Sequence, residues 1–188
     1  MLESLESIFQ IIIPSIISFI ALQEWRRTKK ANLAEEIIII AYELNDSIKG
    51  ARFPGRYSNE GSSRENNNFE NNKGFNNRSQ EECKNSYYTA VERLNKESHL
   101  FAKIFILKIK ASLSFPKLKI SEDLDKYIEI RSEIRTASSW LIRTIDQPYK
   151  KEMEGYKNSI WSISDTDEIS LKSSNATKNI ESKLKKYC

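Results

Sequence analysis

The feature that most constrains this chain is an uncharged, isoleucine-rich run near its start, which a cluster of basic residues follows. From Ser7 to Gln23 there are 17 consecutive residues without charge. As a helix this run covers about 26 Å, near the short end of a membrane-spanning segment. Pro14 lies within it, and membrane helices tolerate proline better than soluble helix interiors do. The run therefore predicts one transmembrane helix.

The residues around the run predict an interface and an orientation. Trp25 stands where an aromatic anchor is expected at the membrane surface. The basic residues that follow it are Arg26, Arg27, Lys29 and Lys30. Only acidic residues precede the run, so the positive-inside bias places the N-terminus outside and the rest of the chain in the cytoplasm. We expect residues 1–30 to be an inner (plasma) membrane anchor and basic junction, with the lipid bilayer as one partner.

Two other interpretations of the run stay open, a cleaved signal peptide and a buried helix of a soluble bundle. A signal peptide needs basic residues before its apolar core and small residues at the cut, whereas this leader carries Glu3 and Glu6 and its exit reads ALQEW. A buried amphipathic helix would show regularly spaced polar residues, and Gln10, Ser15 and Ser18 are too few for that. The membrane anchor fits best.

The rest of the chain shows helical periodicity and no strand pattern. From Leu33 to Ile48 apolar residues recur at spacings of three and four, and no breaker separates them from the anchor, so both can form one rod. Helices are also expected over about 83–114, where Phe105 joins the apolar face, from Ser121 onward, and after a capping box at Asp165 and Glu168. The predicted fold is all-α: an N-terminal transmembrane helix, then a cytosolic antiparallel bundle of three to four long helices over 31–188.

Residues 55–82 interrupt the helical pattern with an asparagine-rich composition. Eight of these 28 residues are asparagine, and few apolar anchors offset the entropy of ordering them. We expect a flexible loop within the bundle. The alternative is a partner-binding loop that uses Tyr57, Phe69 and Phe75, because long loops are commonly either functional or disordered.

Four helical phrases occur together as a set. They are WRRTKKANLAEEIIIIAYELNDSIKGARFP (25–54), RLNKESHLFAKI (93–104), IEIRSEIRTASSWLI (128–142) and IWSISDTDEI (160–169). As a set they resemble an uncharacterised bacterial family of single-pass membrane-anchored helical proteins with no established activity. The resemblance implies membrane attachment and helical architecture only, and the asparagine-rich loop departs from the shorter connection usual in that family.

The only histidine gives the chain its one candidate catalytic motif. Arg93 and His99 form R-x5-H, which resembles the motif of HEPN-type ribonucleases, helical bundles that cleave RNA without a metal. Those enzymes usually have a polar residue after the arginine, where this chain has Leu94. On a regular helix Arg93 and His99 point about 120° apart, so a shared site requires a kink or a partner chain. A ribonuclease is the alternative function.

The remaining polar residues predict an anion contact and no cofactor. Arg131 and Arg135 lie one helical turn apart and suit a phosphate or carboxylate, or they pair with Glu129, with Glu133 or with another helix, which is the commoner arrangement. One histidine and two distant cysteines exclude a Cys/His zinc site, and no glycine-rich phosphate loop is present. We therefore expect no metal and no cofactor.

Together these features predict a non-enzymatic, membrane-tethered helical module that binds another protein or itself. Nucleic acid is expected as a partner only in the ribonuclease alternative. A further alternative is a small membrane-disrupting effector whose oligomerised anchors open a leak. The uncharged run has no polar stripe that would line such a pore, which counts against this alternative.

Overall fold

The computed structural model is all-helical in the part of the chain it describes. The described residues are 2–55, 60–61, 63, 75–145, 151–162 and 164–188, with 2–11 and 75–78 described as helical backbone only. Within them the α-helices are α1 (Leu2–Ala51), α2 (Phe75–Lys96), α3 (Ser98–Ser114), α4 (Ile120–Arg143), α5 (Lys151–Ile160) and α6 (Glu168–Leu184). Short 3₁₀ helices follow α3 and α6, at Pro116–Leu118 and Lys185–Tyr187. No described residue lies in a β-strand, so the all-α prediction is confirmed.

The long helices alternate in direction. α1 and α4 run one way, and α6 and the pair α2 and α3 run the opposite way, because residue numbers rise along one helix where they fall along its neighbour. The hydrogen bonds and ion pairs that show this join Ala41 to Thr177, Asn45 to Ser173, Tyr127 to Thr177, Asp123 to Lys183, Tyr87 to Ser138 and Lys108 to Asp125. The predicted antiparallel bundle is therefore present, with α2 and α3 as one broken rod.

Helix α1 is one continuous helix with two different halves. Its second half forms the core through the predicted stripe, where Ile37, Ala41, Leu44 and Ile48 are buried. Its first half leaves the bundle, and every side chain from 12 to 22 is exposed. None of the helices in the described residues is both long enough and apolar enough to cross a membrane. Residues 7–11 of the predicted span lie outside the described side chains.

Helix α3 differs from its prediction because both of its sides are apolar. Ile104 and Leu107 are buried against α4, but Phe105 is 60% exposed, so its assignment to the inner face was wrong. The single helix predicted over 83–114 is also broken, since Glu97 (φ −94°, ψ 20°) leaves helical geometry between α2 and α3. The spacing of apolar residues predicts an apolar side of a helix, but when two sides are apolar it does not predict which one is buried.

Helix starts are the other differences from the sequence predictions. Helix α2 begins at Phe75, eight residues before the predicted start, because glutamine and glutamate after the asparagine pairs are good helix formers. Helix α4 begins at Ile120 after Lys119, so Ser121 does not cap it. Of the loop predicted over 55–82, residues 56–59, 62 and 64–74 lie outside the described residues, and so do Tyr57, Phe69 and the side chain of Phe75.

Candidate functional site

A buried arginine holds together the end of the bundle that is farthest from the exposed half of α1. Arg52 is 0% exposed. Its Nε donates to the Ser159 carbonyl at 3.0 Å and its Nη2 to the Asn158 carbonyl at 2.6 Å, both at the C-terminal end of α5. Its Nη1 lies 2.8 Å from Oδ1 of Asp167. Arg52 therefore joins the end of α1, the end of α5 and the start of α6.

Asp167 is the N-cap of α6, because its side chain accepts a hydrogen bond from the Ser170 backbone N–H at 3.0 Å. The predicted capping box of Asp165 and Glu168 is therefore wrong by two positions. Burial alone would raise the pKa of Asp167, but the Ser170 hydrogen bonds and the Arg52 guanidinium outweigh it, so the pKa lies below its usual value. Asp167 thus stays charged beside Arg52.

Helix α4 carries three arginines that line one surface cleft. We call the side chains of Arg131, which is half-buried, and of the exposed Arg135 and Arg143 the α4 arginine face. They line one surface cleft of about 560 Å³ together with Phe105 from α3 and Trp140 from α4. The first and the last arginine are twelve positions apart, so the face extends for about 18 Å along the helix and turns by about 120° around it.

Arg131 is held in place but is only partly satisfied. Its guanidinium carbon lies 4.6 Å from the centroid of the Phe101 ring, a cation–π distance. Its Nη2 donates to Oδ1 of Asn95 over a long 3.4 Å. Its Nε is buried and has no hydrogen-bond partner among the described residues. Partial burial, and then the positive charge of Arg135, lower the pKa of Arg131 from its ordinary value.

The carboxylates nearest in sequence do not neutralise this face. Glu129 and Glu133 lie 3.1 and 4.0 Å from the ammonium of Lys172 on α6, so the alternative in which they pair with the arginines was wrong. No carboxylate of the described residues lies within ion-pair distance of Arg131, Arg135 or Arg143. Arginines without carboxylate partners can bind carboxylates or phosphates through paired N–H donors.

Arg93 lies in a second cleft but is fully engaged there. Its Nη2 lies 2.6 Å from Oε2 of Glu60, and its Nε donates to Oε1 of the same side chain at 3.1 Å. Its Nη1 donates to the Phe53 carbonyl at 2.7 Å, and its Nη2 donates to the Gly55 carbonyl at 2.5 Å. All three guanidinium nitrogens of Arg93 therefore hold the segment that follows α1.

His99 opens into the same cleft of about 600 Å³. The helical geometry breaks at Glu97, between Arg93 and His99. The His99 side chain is 62% exposed, and its Nδ1 lies 3.9 Å from Oε2 of Glu97. Arg93 and His99 thus line the same cleft, but of the two only His99 has a side chain that is mostly exposed there.

The predicted interface residues lie on the exposed half of α1. Trp25 and the four basic residues after it are all exposed. Arg27 pairs with Glu24 at 2.8 Å, and the Lys29 ammonium lies 5.8 Å from the Trp25 ring centroid. The first buried residue of the bundle is Ala34, so this junction lies immediately outside the core.

Sequence reasoning missed Arg52 and Arg143. Arg143 stands eight residues after Arg135, about 80° further around α4, so helical spacing gave no clear signal for it. Arg52 gave no signal either, because its partners are backbone carbonyls more than 100 positions away.

No family model, curated protein or solved structure matches this chain. The fold and the sites define an all-helical protein with an exposed apolar helix at one end and an arginine face on its side. The family resemblance stays a prediction.

Proposed function

We propose that this protein is a non-enzymatic, membrane-tethered helical interaction module. The first half of α1 lies in the plasma membrane with its N-terminus outside, and the bundle lies on the cytoplasmic side. The observation that carries the proposal is the exposure of α1 beyond the core. Its exposed large apolar side chains before Trp25 are Ile12, Ile13, Ile16, Ile17, Phe19, Ile20 and Leu22.

These side chains cover an arc of about 220° around the helix, because successive residues are rotated by about 100°. The remaining sector holds the small, uncharged residues Pro14, Ser18 and Ala21. A helix that docks on one partner surface needs only one apolar stripe, whereas the large apolar side chains of α1 cover more than half of its circumference here. Removing seven such side chains from water is favourable by on the order of 10 kcal/mol. A lipid environment provides this burial on all sides at once.

The tether is tested by placing a charge within the exposed half of α1. Ile17→Arg should lower the fraction of the full-length chain that alkaline-washed membranes retain, because arginine in the middle of a span costs about 3 kcal/mol on insertion scales. Ile39→Arg is the matched control, since Ile39 is exposed on the bundle half of the same helix. The proposal is wrong if wild type also appears in the supernatant, or if both variants stay in the membrane equally.

The α4 arginine face is the proposed contact for a partner protein. Its chemistry fits an acidic segment whose carboxylates follow the face over about 18 Å. The tether holds this face near membrane-associated partners, and the raised effective concentration lets modest contacts suffice. Self-association by the same face requires an acidic surface on the second copy.

The partner contact is tested by crosslinking full-length protein in membranes and comparing two triple variants. Arg131→Gln, Arg135→Gln and Arg143→Gln together should remove a crosslinked partner that wild type retains. The control combines Lys49→Gln, Lys151→Gln and Lys178→Gln, three exposed lysines with no carboxylate partner among the described residues. A partner lost equally from both variants would show that bulk charge, and not this face, attracts it.

A further inference from the structure

The bundle gathers separate basic segments at the end where the exposed half of α1 emerges. The 3₁₀ helices Pro116–Leu118 and Lys185–Tyr187 meet there, and the ring centroids of Phe115 and Tyr187 lie 4.9 Å apart. The second of these 3₁₀ helices also packs against α1. The directions of α1, α3 and α6 therefore bring three chain segments to one end of the molecule.

The side chains of this end are predominantly basic. We call the exposed lysines of the two 3₁₀ segments, Lys117, Lys119, Lys185 and Lys186, the basal lysine cluster. With the four basic residues of the junction they make eight positive charges in segments 24–30, 115–122 and 184–188, against two acidic residues, Glu24 and Glu122. Lys183 is excluded, because Asp123 pairs with it at 2.5 Å.

Most of this charge is available to a ligand. Lys117 and Lys185 have no carboxylate within ion-pair distance among the described residues. Lys119 pairs with Glu122 at 3.2 Å, but both side chains are well exposed, and such pairs contribute little. Leu113 projects from the same end and is 79% exposed. A basic rim around an exposed apolar side chain is typical of a surface that contacts lipid headgroups.

The length of α1 places this end near the bilayer. Nine residues from Trp25 to Ala34 correspond to about 14 Å along the helix. With Trp25 at the edge of the hydrocarbon, the headgroup layer takes up roughly 6 Å of that distance. The remaining gap of about 8 Å is close to one Debye length at physiological salt. The basal lysine cluster therefore lies within the field of an anionic surface.

We infer that the basal lysine cluster binds anionic phospholipid headgroups, so that the bundle docks on the membrane surface instead of standing free above it. This inference rests on the proposed tether and adds a second, reversible contact to it. Docking fixes the tilt of the bundle. The α4 arginine face lies on the side of the bundle, toward the end away from the membrane, and stays open to a partner.

The two cysteines provide a direct test, because they lie at opposite ends of the bundle. Cys188 follows the basal lysine cluster, and Cys83 lies on α2 beyond Tyr87, toward the far end. Full-length Cys83→Ser, labelled with a fluorophore at Cys188, is reconstituted in vesicles of phosphatidylcholine with or without phosphatidylglycerol. A nitroxide on the lipid headgroups reports docking by quenching, and Cys188→Ser labelled at Cys83 is the distance control.

Docking predicts strong quenching at Cys188 only in phosphatidylglycerol vesicles, with recovery at high salt and little change at Cys83. Lys117→Glu, Lys185→Glu and Lys186→Glu together should lower the docked-to-undocked ratio by at least about a hundredfold, from about fivefold per positive charge removed, and the three added carboxylates repel the anionic surface further. The matched control, Lys49→Glu, Lys151→Glu and Lys178→Glu, should quench like wild type.

Two results would overturn the inference, and they differ from each other. Equal quenching at Cys188 in both lipid compositions, with the protein retained after an alkaline wash, refutes docking and leaves the tether standing. Loss of the protein from both kinds of vesicle in the alkaline wash refutes the tether and the docking together. The salt dependence of wild type decides the question even if the triple lysine variant fails to fold.

Discussion

Replacing Arg52 by methionine should be among the most destabilising single changes in the bundle. Methionine fills a similar volume but removes the charge and every donor. The change leaves Asp167, whose side chain is 13% exposed, without its cationic partner. It also leaves the carbonyls of Asn158, Ser159 and Trp161 without their arginine hydrogen bonds. The ends of α1 and α5 and the start of α6 lose their common partner.

The size of the effect follows from the burial of Arg52. Removing one partner of a buried ion pair costs about 3–5 kcal/mol, because the other charge stays desolvated. For a chain of this size each 1 kcal/mol shifts the melting temperature by about 2–4 °C. We therefore expect Arg52→Met to lower the melting temperature by roughly 6–20 °C. The melting temperature of Arg52→Lys should lie between those of wild type and Arg52→Met, since lysine keeps the positive charge but lacks the planar guanidinium group.

The assay is thermal unfolding of the full-length protein in detergent micelles, followed by circular dichroism of the helices. Arg143→Met is the matched control, because Arg143 is exposed and unpaired among the described residues, and it should change the free energy of unfolding by less than about 0.5 kcal/mol. If Arg52→Met and Arg143→Met melt within a degree or two of each other, the reasoning about the buried pair fails.

The other predictions concern acid stability, one buried hydroxyl and the two alternative functions. The lowered pKa values of Asp123 and Asp167 mean that both carboxylates stabilise the fold above about pH 3.9 and lose this effect as the pH falls through their folded-state pKa values. A melting temperature that stays constant as the pH is lowered through this range would contradict this. Tyr127→Phe removes the hydrogen bond to Thr177 and should cost about 1 kcal/mol in urea unfolding. Purified wild type and His99→Ala should leave RNA equally intact, whereas cleavage lost only in the variant would establish the ribonuclease. Vesicles carrying the protein should retain an entrapped dye, and leakage would favour the membrane-disrupting alternative.

The periodicity of apolar residues predicted the structural features that depend only on spacing within one helix. The stripe of α1 through Ile37, Leu44 and Ile48 is buried as its spacing predicted. The same reasoning misplaced Phe105, because α3 is apolar on two sides, and only its packing against α4 and α1 determines which side is covered. Local spacing identifies an apolar face of a helix, but contacts with other helices determine which of two apolar faces is buried.

The start of α6 shows a second limit of sequence reasoning. Ser164, Asp165, Thr166 and Asp167 are four successive candidates for an N-cap, and local propensity does not separate them. Arg52 favours Asp167, because only a carboxylate at that position lies 2.8 Å from its Nη1. The anion contact at Arg131 and Arg135 stays a prediction. Both side chains line one cleft, and spacing alone did not show that Glu129 and Glu133 lie near Lys172 and not near these arginines.

The tether and its orientation are tested most directly by the reactivity of the two native thiols across the membrane. A membrane-impermeant maleimide is applied to intact cells and to inverted membrane vesicles after an alkaline wash. We predict that Cys83 and Cys188 react in the inverted vesicles and not in intact cells. Reaction from outside the cell, or absence of the chain from the washed vesicles, would contradict a cytoplasmic bundle held by the first half of α1.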